Sequence, residues 1–224
     1  MLKNLICIFL LGIGFESFCQ AKYDTIPNVP DHYAIRLAKF KSEAVTTGKI
    51  LFLGNSITEG GNWRKLLKDS SVVNRGISGD NTFGVLNRLD EITRHKPAKV
   101  FILIGVNDLS KNIPPAMTIE NIFAIVNKIH AGSPKTSVYV QSILPVNPTV
   151  KGFMTRFSKQ DDILEINKQL AKYPDALKYT FVNLHDQFLD EKKLLDARFT
   201  GDGLHLNAAG YVHWVQYLKK QKYL

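Results

Sequence analysis

Ile50-Leu51-Phe52-Leu53-Gly54-Asn55-Ser56-Ile57-Thr58 is the stretch that decides the fold. Four apolar residues stop at a glycine, and a polar turn follows at once. The run is too short for a helix and lacks the alternation of a half-exposed strand, so it reads as a strand buried on both faces. The same pattern recurs outward along the chain. Lys99 to Ile104 is an apolar run stopped by Gly105, and Val138 to Ile143 is ended by Pro145. Val72-Val73 is a brief strand stopped by Gly76, and Tyr179 to Leu184 is a fifth. Helical stretches fill the intervals. One runs from Asp31 to about Ala44 with Tyr33, Leu37 and Phe40 on one face, and a short one carries Trp63, Leu66 and Leu67. Another, capped by Asp80 or Asn81, runs through Val85, Leu86, Leu89 and Ile92. Further helices start at Thr118 (to Gly132), at Ser158 with Asp161, and near Asn207, the last burying Ala208, Tyr211, Val212, Val215 and Leu218. Strands alternating with helices indicate βαβ units. The expected fold is α/β: a three-layer α/β/α, doubly wound domain around a central five-stranded parallel sheet.

The chain has 224 residues with 45% hydrophobic and 22% charged residues, a balance that excludes a disordered or polytopic membrane protein. Residues 1–20 stand apart. Lys3 is a positive start, Leu5 to Phe15 is an apolar run, and small residues follow, which is the pattern of a secretory signal peptide. Cleavage is expected after Cys19 or Ala21, with a membrane anchor or lipid attachment at Cys19 as alternatives. Residues 21–224 are then one domain, exported to a periplasmic or extracellular space, with no stable membrane association. Both cysteines, Cys7 and Cys19, leave with the leader, so thiol catalysis and cysteine–zinc sites are excluded. The net charge of +9 is carried by scattered lysines without a nucleic-acid motif, so no nucleic-acid partner is expected.

In an open parallel sheet, ligands bind beyond the carboxyl ends of the strands. The segments placed there are Gly54-Asn55-Ser56-Ile57-Thr58, Asn74 to Asp80, Gly105-Val106-Asn107-Asp108, and Asp202-Gly203-Leu204-His205 before the last helix. They hold the parts for acyl transfer. A serine needs a base to take its proton, and a histidine can take it and return it near neutral pH. An aspartate three residues before that histidine can fix its tautomer. The Ser56 N–H, the Gly79 N–H and the Asn107 amide are candidate donors to an oxyanion.

These four blocks, in this order, resemble the GDSL-type lipase/esterase (SGNH hydrolase) superfamily. Within it they resemble the branch of platelet-activating factor acetylhydrolase-like and sialate O-acetylesterase-like proteins, through Phe52 to Gly60. The resemblance implies a flavodoxin-like sheet and places catalytic roles on Ser56, His205 and Asp202. It places the oxyanion hole on Ser56, Gly79 and Asn107. Asn55 departs from the family name, which implies Asp there.

The other histidines, His32, His95, His130, His185 and His213, show no metal-ligand spacing and read as surface or packing residues. Asp80 and Asp108 read as a helix cap and a solvated loop residue. The long irregular stretch Pro145 to Phe157 is of a length that is often functional. Its Phe153 and Phe157 line either a substrate pocket or the core. No G-x-S-x-G elbow, P-loop or dinucleotide fingerprint occurs, so no cofactor or metal is expected. The expectation is a secreted serine esterase acting on short acyl, chiefly acetyl, esters of small molecules or glycans. Alternatives are a lysophospholipase or thioesterase, an acyltransferase, and, from a different class, a non-catalytic carbohydrate-binding module.

Overall fold

The computed structural model describes residues 31–224. The expected leader and the extended segment from Ile26 to Pro30 lie outside the described residues. Five parallel strands form one sheet in the order β2-β1-β3-β4-β5: β1 Ile50–Gly54, β2 Val73–Gly76, β3 Lys99–Leu103, β4 Ser137–Gln141 and β5 Thr180–Val182. The helices are α1 Asp31–Ser42, α2 Ser56–Glu59, α3 Trp63–Leu67, α4 Thr82–Leu86, α5 Leu89–Thr93, α6 Val106–Ser110, α7 Pro115–Gly132, α8 Gln160–Lys172, α9 Pro174–Leu177 and α10 Ala208–Lys220. The three-layer α/β/α expectation holds. The order reverses at β1, between β2 and β3, which makes the ends of β1 and β3 the switch point where a ligand site is expected.

Register explains how the layers pack. Phe52, Phe101 and Tyr139 are partners on adjacent strands, and their rings form a stacked row with centroids 5.0 and 4.5 Å apart. Trp63 of α3 stacks on Phe52 at 3.9 Å, and Trp214 of α10 meets it edge-on at 6.5 Å, so α3 and α10 cover this face. On the other face α7 packs centrally, against α4 and α5 on one side and α8 on the other. It contributes the buried Ile122, Ile125, Val126 and Ile129.

Several boundaries differ from the sequence pattern for identifiable reasons. β2 continues through Asn74-Arg75 because the buried Arg75 guanidinium is neutralised by Glu91 at 3.1 Å and Glu43 at 2.7 Å. The single helix expected through Ile92 is two, α4 and α5, broken at Arg88, whose side chain turns into the core. Asn81 is the cap of α4, accepting from the Gly84 N–H at 3.0 Å. α7 starts at Pro115 rather than Thr118, since a first-turn proline lacks only an N–H the helix would not use. Ser158 makes no cap to α8. α10 is capped by Asn207, but Ala208 is exposed and Val212 is 44% exposed; Gly210 and Trp214 are buried in their place.

Close backbone approach accounts for two glycines. A Cβ on Gly54 would collide with the Leu103 carbonyl of β3 and the Thr58 hydroxyl, and one on Gly76 would strike the Glu59 backbone of α2. Gly76→Ala is therefore expected to cost roughly 1–3 kcal/mol by overpacking. Gly201→Ala, at a position with open space, should stay within about 0.5 kcal/mol of wild type. Urea denaturation of the two variants checks this; equal midpoints would contradict the packing account.

Candidate active site

The segment after β1 forms α2, a helix of four residues. Ser56-x-x-Glu59 has the form of a capping box, but the cap is Asn55. Its Oδ1 accepts the Ile57 N–H at 3.0 Å, the same acceptor role an aspartate would fill. Ser56 is thereby freed from capping. Its N–H, at the first helical position, has no intrahelical partner, and its Oγ lies 3.0 Å from His205 Nε2.

So short a helix leaves half of its carbonyls, those of Ile57 and Glu59, without a backbone donor among the described residues, and side chains from three elements bond its carbonyl end. The Tyr211 hydroxyl donates to Ile57 O at 2.8 Å, and Trp63 Nε1 donates to Thr58 O at 2.9 Å. Asn74 Nδ2 lies within 3.1 Å of the carbonyls of Thr58, Glu59 and Gly61. The turn that bears Ser56 is thus held by α10, α3 and β2 together.

His205 precedes α10 in a loop closed by a bridge between Thr200 and Leu206. Asp202 Oδ2 lies 2.7 Å from His205 Nδ1, while Oδ1 accepts the backbone N–H groups of His205 and Leu204 at 2.8 and 2.9 Å. Burial pushes the Asp202 carboxyl upward, but the bonds from His205 and Leu204 outweigh it and hold the group below the usual carboxylate range. Asp202 and His205 keep about 40% of their side-chain surface exposed, so the constellation opens to solvent. The loop Pro145 to Phe157 supports this turn: the Asn147 N–H donates to Gly203 O at 2.8 Å, and half-buried Phe153 lies against Gly203. Phe157 is buried in the core.

Gly79 has φ +80° in the turn after β2, with open space where a Cβ would project. Among the described residues its N–H has no protein partner. Asn107, in the first turn of α6 beyond β3, donates one amide N–H to Asp80 O at 2.8 Å and makes no second bond with it among the described residues. Ser78 is not placed to act as a nucleophile, since its Oγ donates to Glu59 at 2.8 Å. All the residues singled out for the chemistry therefore gather at the carboxyl end of the sheet. A hydroxyl on an imidazole on a carboxylate, at the same end of the sheet as N–H groups without a partner among the described residues, is competent for attack on an acyl carbon.

A model of the GDSL-like lipase/acylhydrolase family matches residues 52–212. The chain belongs to that family. It is an ester-hydrolysing enzyme. An arylesterase of Vibrio mimicus is 29% identical over 172 residues, 70% of this chain and 79% of that one. A platelet-activating factor acetylhydrolase IB subunit alpha2 of Rattus norvegicus is 24% identical over 168 residues, 72% of this chain and 70% of that one. Among solved structures, a candidate platelet activating factor from Streptococcus pneumonia has a TM-score of 0.77 and 30% identity, covering 85% of this chain and 92% of its own. A catalytic mutant of an acetylxylan esterase from Geobacillus stearothermophilus shares the fold, with a TM-score of 0.64 and 18% identity over 80% of this chain and 95% of its own.

Beneath the site of this GDSL-like acylhydrolase lies a polar network that the sequence reading did not anticipate. Asp108 is fully buried rather than solvated. It accepts from the Thr82 N–H and hydroxyl, and Thr82 Oγ1 accepts from Asn121 Nδ2 at 2.9 Å. Burial pushes the Asp108 carboxyl up to about 7 from 3.8, against the pull of the Thr82 bonds. The native state thus holds this proton more tightly than the unfolded chain. Its contribution to stability is full below about pH 4 and is lost as pH rises towards 7, by up to about 1.4 kcal/mol per unit. Asp108→Asn should remove that slope. Urea melts at pH 5 and pH 8 should show the variant gaining on wild type at the higher pH; a constant difference would refute the assignment.

Proposed function

We propose that the chain is an exported serine esterase that removes short acyl groups, acetyl foremost, from small or carbohydrate alcohols, through Ser56, His205 and Asp202. The observation that carries the reading is the continuous relay from Ser56 Oγ to His205 Nε2 at 3.0 Å and from His205 Nδ1 to Asp202 at 2.7 Å. In this reading Ser56 attacks the ester carbon while His205 takes its proton. The imidazolium so formed lies against the ionised Asp202. The carbonyl oxygen becomes an oxyanion and accepts from the Ser56 and Gly79 N–H groups and the Asn107 amide. His205 returns the proton to the leaving alcohol, and water then repeats the sequence to release the acid. The reaction needs no cofactor or metal.

The acetyl preference is supported by the acetylhydrolase relative and the acetylxylan esterase of like fold. The open site, with His205 and Asp202 nearly half exposed, suits a bulky polar alcohol. Export rests on the residue pattern of 1–20, with 21–224 as the working domain and no nucleic-acid partner. Among the described residues no helix is long and apolar enough to cross a membrane. Phe153, beside Gly203, is the residue of the long loop proposed to touch substrate; Phe157, proposed with it from the sequence, supports the loop from the core.

Hydrolysis of p-nitrophenyl acetate tests this. Ser56→Ala should lose activity with an unchanged melt, and wild type should turn over acetate faster than decanoate. Asn107→Ala should lower kcat by about 10²–10³ with little change in KM, because the bond strengthens in the transition state. Turnover no higher than in Ser56→Ala would favour a binding module, and a preference for long chains a lipase.

A further inference from the structure

We propose that Glu59 is a positioning residue, whose carboxylate ties the turn presenting the Gly79 N–H to the helix presenting Ser56 and so keeps the oxyanion donors in register with the nucleophile. The inference rests on the esterase reading of the site. Residues Ile77 to Asp80 form a turn closed by the Asp80 N–H on Ile77 O at 3.1 Å. Gly79 at φ +80° gives it the type II form. Type I and type II turns differ in the orientation of their central peptide, here the one between Ser78 and Gly79. Rotating that peptide would point the Gly79 N–H away from the oxyanion. Glycine permits either state, so the turn's own residues do not choose between them.

Glu59 bears directly on that choice. Its Oε2 accepts both the Ser78 N–H at 2.5 Å and the Ser78 hydroxyl at 2.8 Å, which fixes the residue on one side of the rotating peptide. On the other side, Asp80 is held by Arg88 at 2.9 Å. Glu59 is itself anchored. Its N–H donates to Asn55 O at 2.9 Å and its carbonyl accepts from Asn74 at 2.9 Å. His32 and Arg36 of α1 face its carboxylate at 3.0 and 3.3 Å. Burial raises the carboxyl's affinity for a proton, but the bonds from His32 and Ser78 and the charge of Arg36 overcome this and keep it below the usual range. An ionised carboxylate accepts from all these donors at once. A glutamine has one acceptor oxygen, and its NH2 would face donors.

The experiment compares wild type, Ser56→Ala, Glu59→Ala and Glu59→Gln with two readouts. One is kcat and KM on p-nitrophenyl acetate. The other is the inhibition constant of a methyl trifluoromethyl ketone, which binds as a hemiketal oxyanion. Misplacing a reacting group by about 1 Å costs on the order of 10²-fold. Glu59→Ala should therefore lower kcat by about tenfold to a hundredfold with KM within about twofold. The ketone should weaken by the same factor as kcat/KM, with Glu59→Gln intermediate. Variants that melt earlier but keep the wild-type kcat and ketone affinity would show a merely structural role and overturn the inference. If Glu59→Ala does not fold, wild-type values in Glu59→Gln overturn it equally. Wild type turning over no faster than Ser56→Ala would instead overturn the esterase reading, and this inference with it.

Discussion

The Arg88 guanidinium, wholly buried, ties together the ends of two strands and the glycine turn beside them, on which the site is built. It pairs with the Asp80 carboxylate at 2.9 Å and donates to the carbonyls of Gly54 and Arg75 at 3.3 and 2.9 Å. Gly54 ends β1, Arg75 lies at the end of β2, and Asp80 follows Gly79. The Asp80 carbonyl in turn accepts the Asn107 amide from beyond β3. Taking such a pair out of water is costly, and removing one partner would leave an uncompensated buried charge. The two groups can therefore stay buried only while both remain in place. That requirement fixes the ends of β1 and β2 and the glycine turn relative to one another, and it explains why the helix expected through Ile92 breaks at Arg88.

On this frame the helix that carries Ser56 needs little length of its own. Asn55 caps it, and Tyr211, Trp63 and Asn74 complete its carbonyls. The two tryptophans and Tyr211 that pack over the Phe52–Phe101 row are the same layer that supplies two of these donors. Core packing and the placement of Ser56 are thus one arrangement. Asp202 and His205 come from a separate loop, braced by Asn147 and Phe153, so the relay joins two independently supported parts of the molecule.

What could be read in the sequence follows from which forces are local. Apolar runs ended by glycine announce buried parallel strands, and the polar residues at their ends, Ser56, Gly79 and Asn107 among them, are candidates for the site; Asp202 and His205 were singled out instead by their three-residue spacing before the last helix. Long-range polar pairing was not. Arg75 in β2, Arg88 in the helix break and Asp108 under the site are charged residues that look solvent-bound until their partners, distant in sequence, are known. Glu59 carried a local signal, the Ser-x-x-Glu spacing, but that spacing pointed to capping; the partner is Ser78, from the next strand's end. On α10, periodicity alone admitted Val212, whereas the ring of Trp214 needed the room over Phe52 and set the helix's rotation.

The esterase reading requires one serine, one base and three N–H donors to converge on a single acyl position. A crystal structure of the chain after reaction with a fluorophosphonate would reveal whether they do. Phosphorus is expected on Ser56 Oγ, with its phosphoryl oxygen about 3 Å from the Ser56 and Gly79 N–H groups and the Asn107 amide. An adduct on Ser78, or one on Ser56 with the phosphoryl oxygen turned away from Gly79 and Asn107, would contradict it.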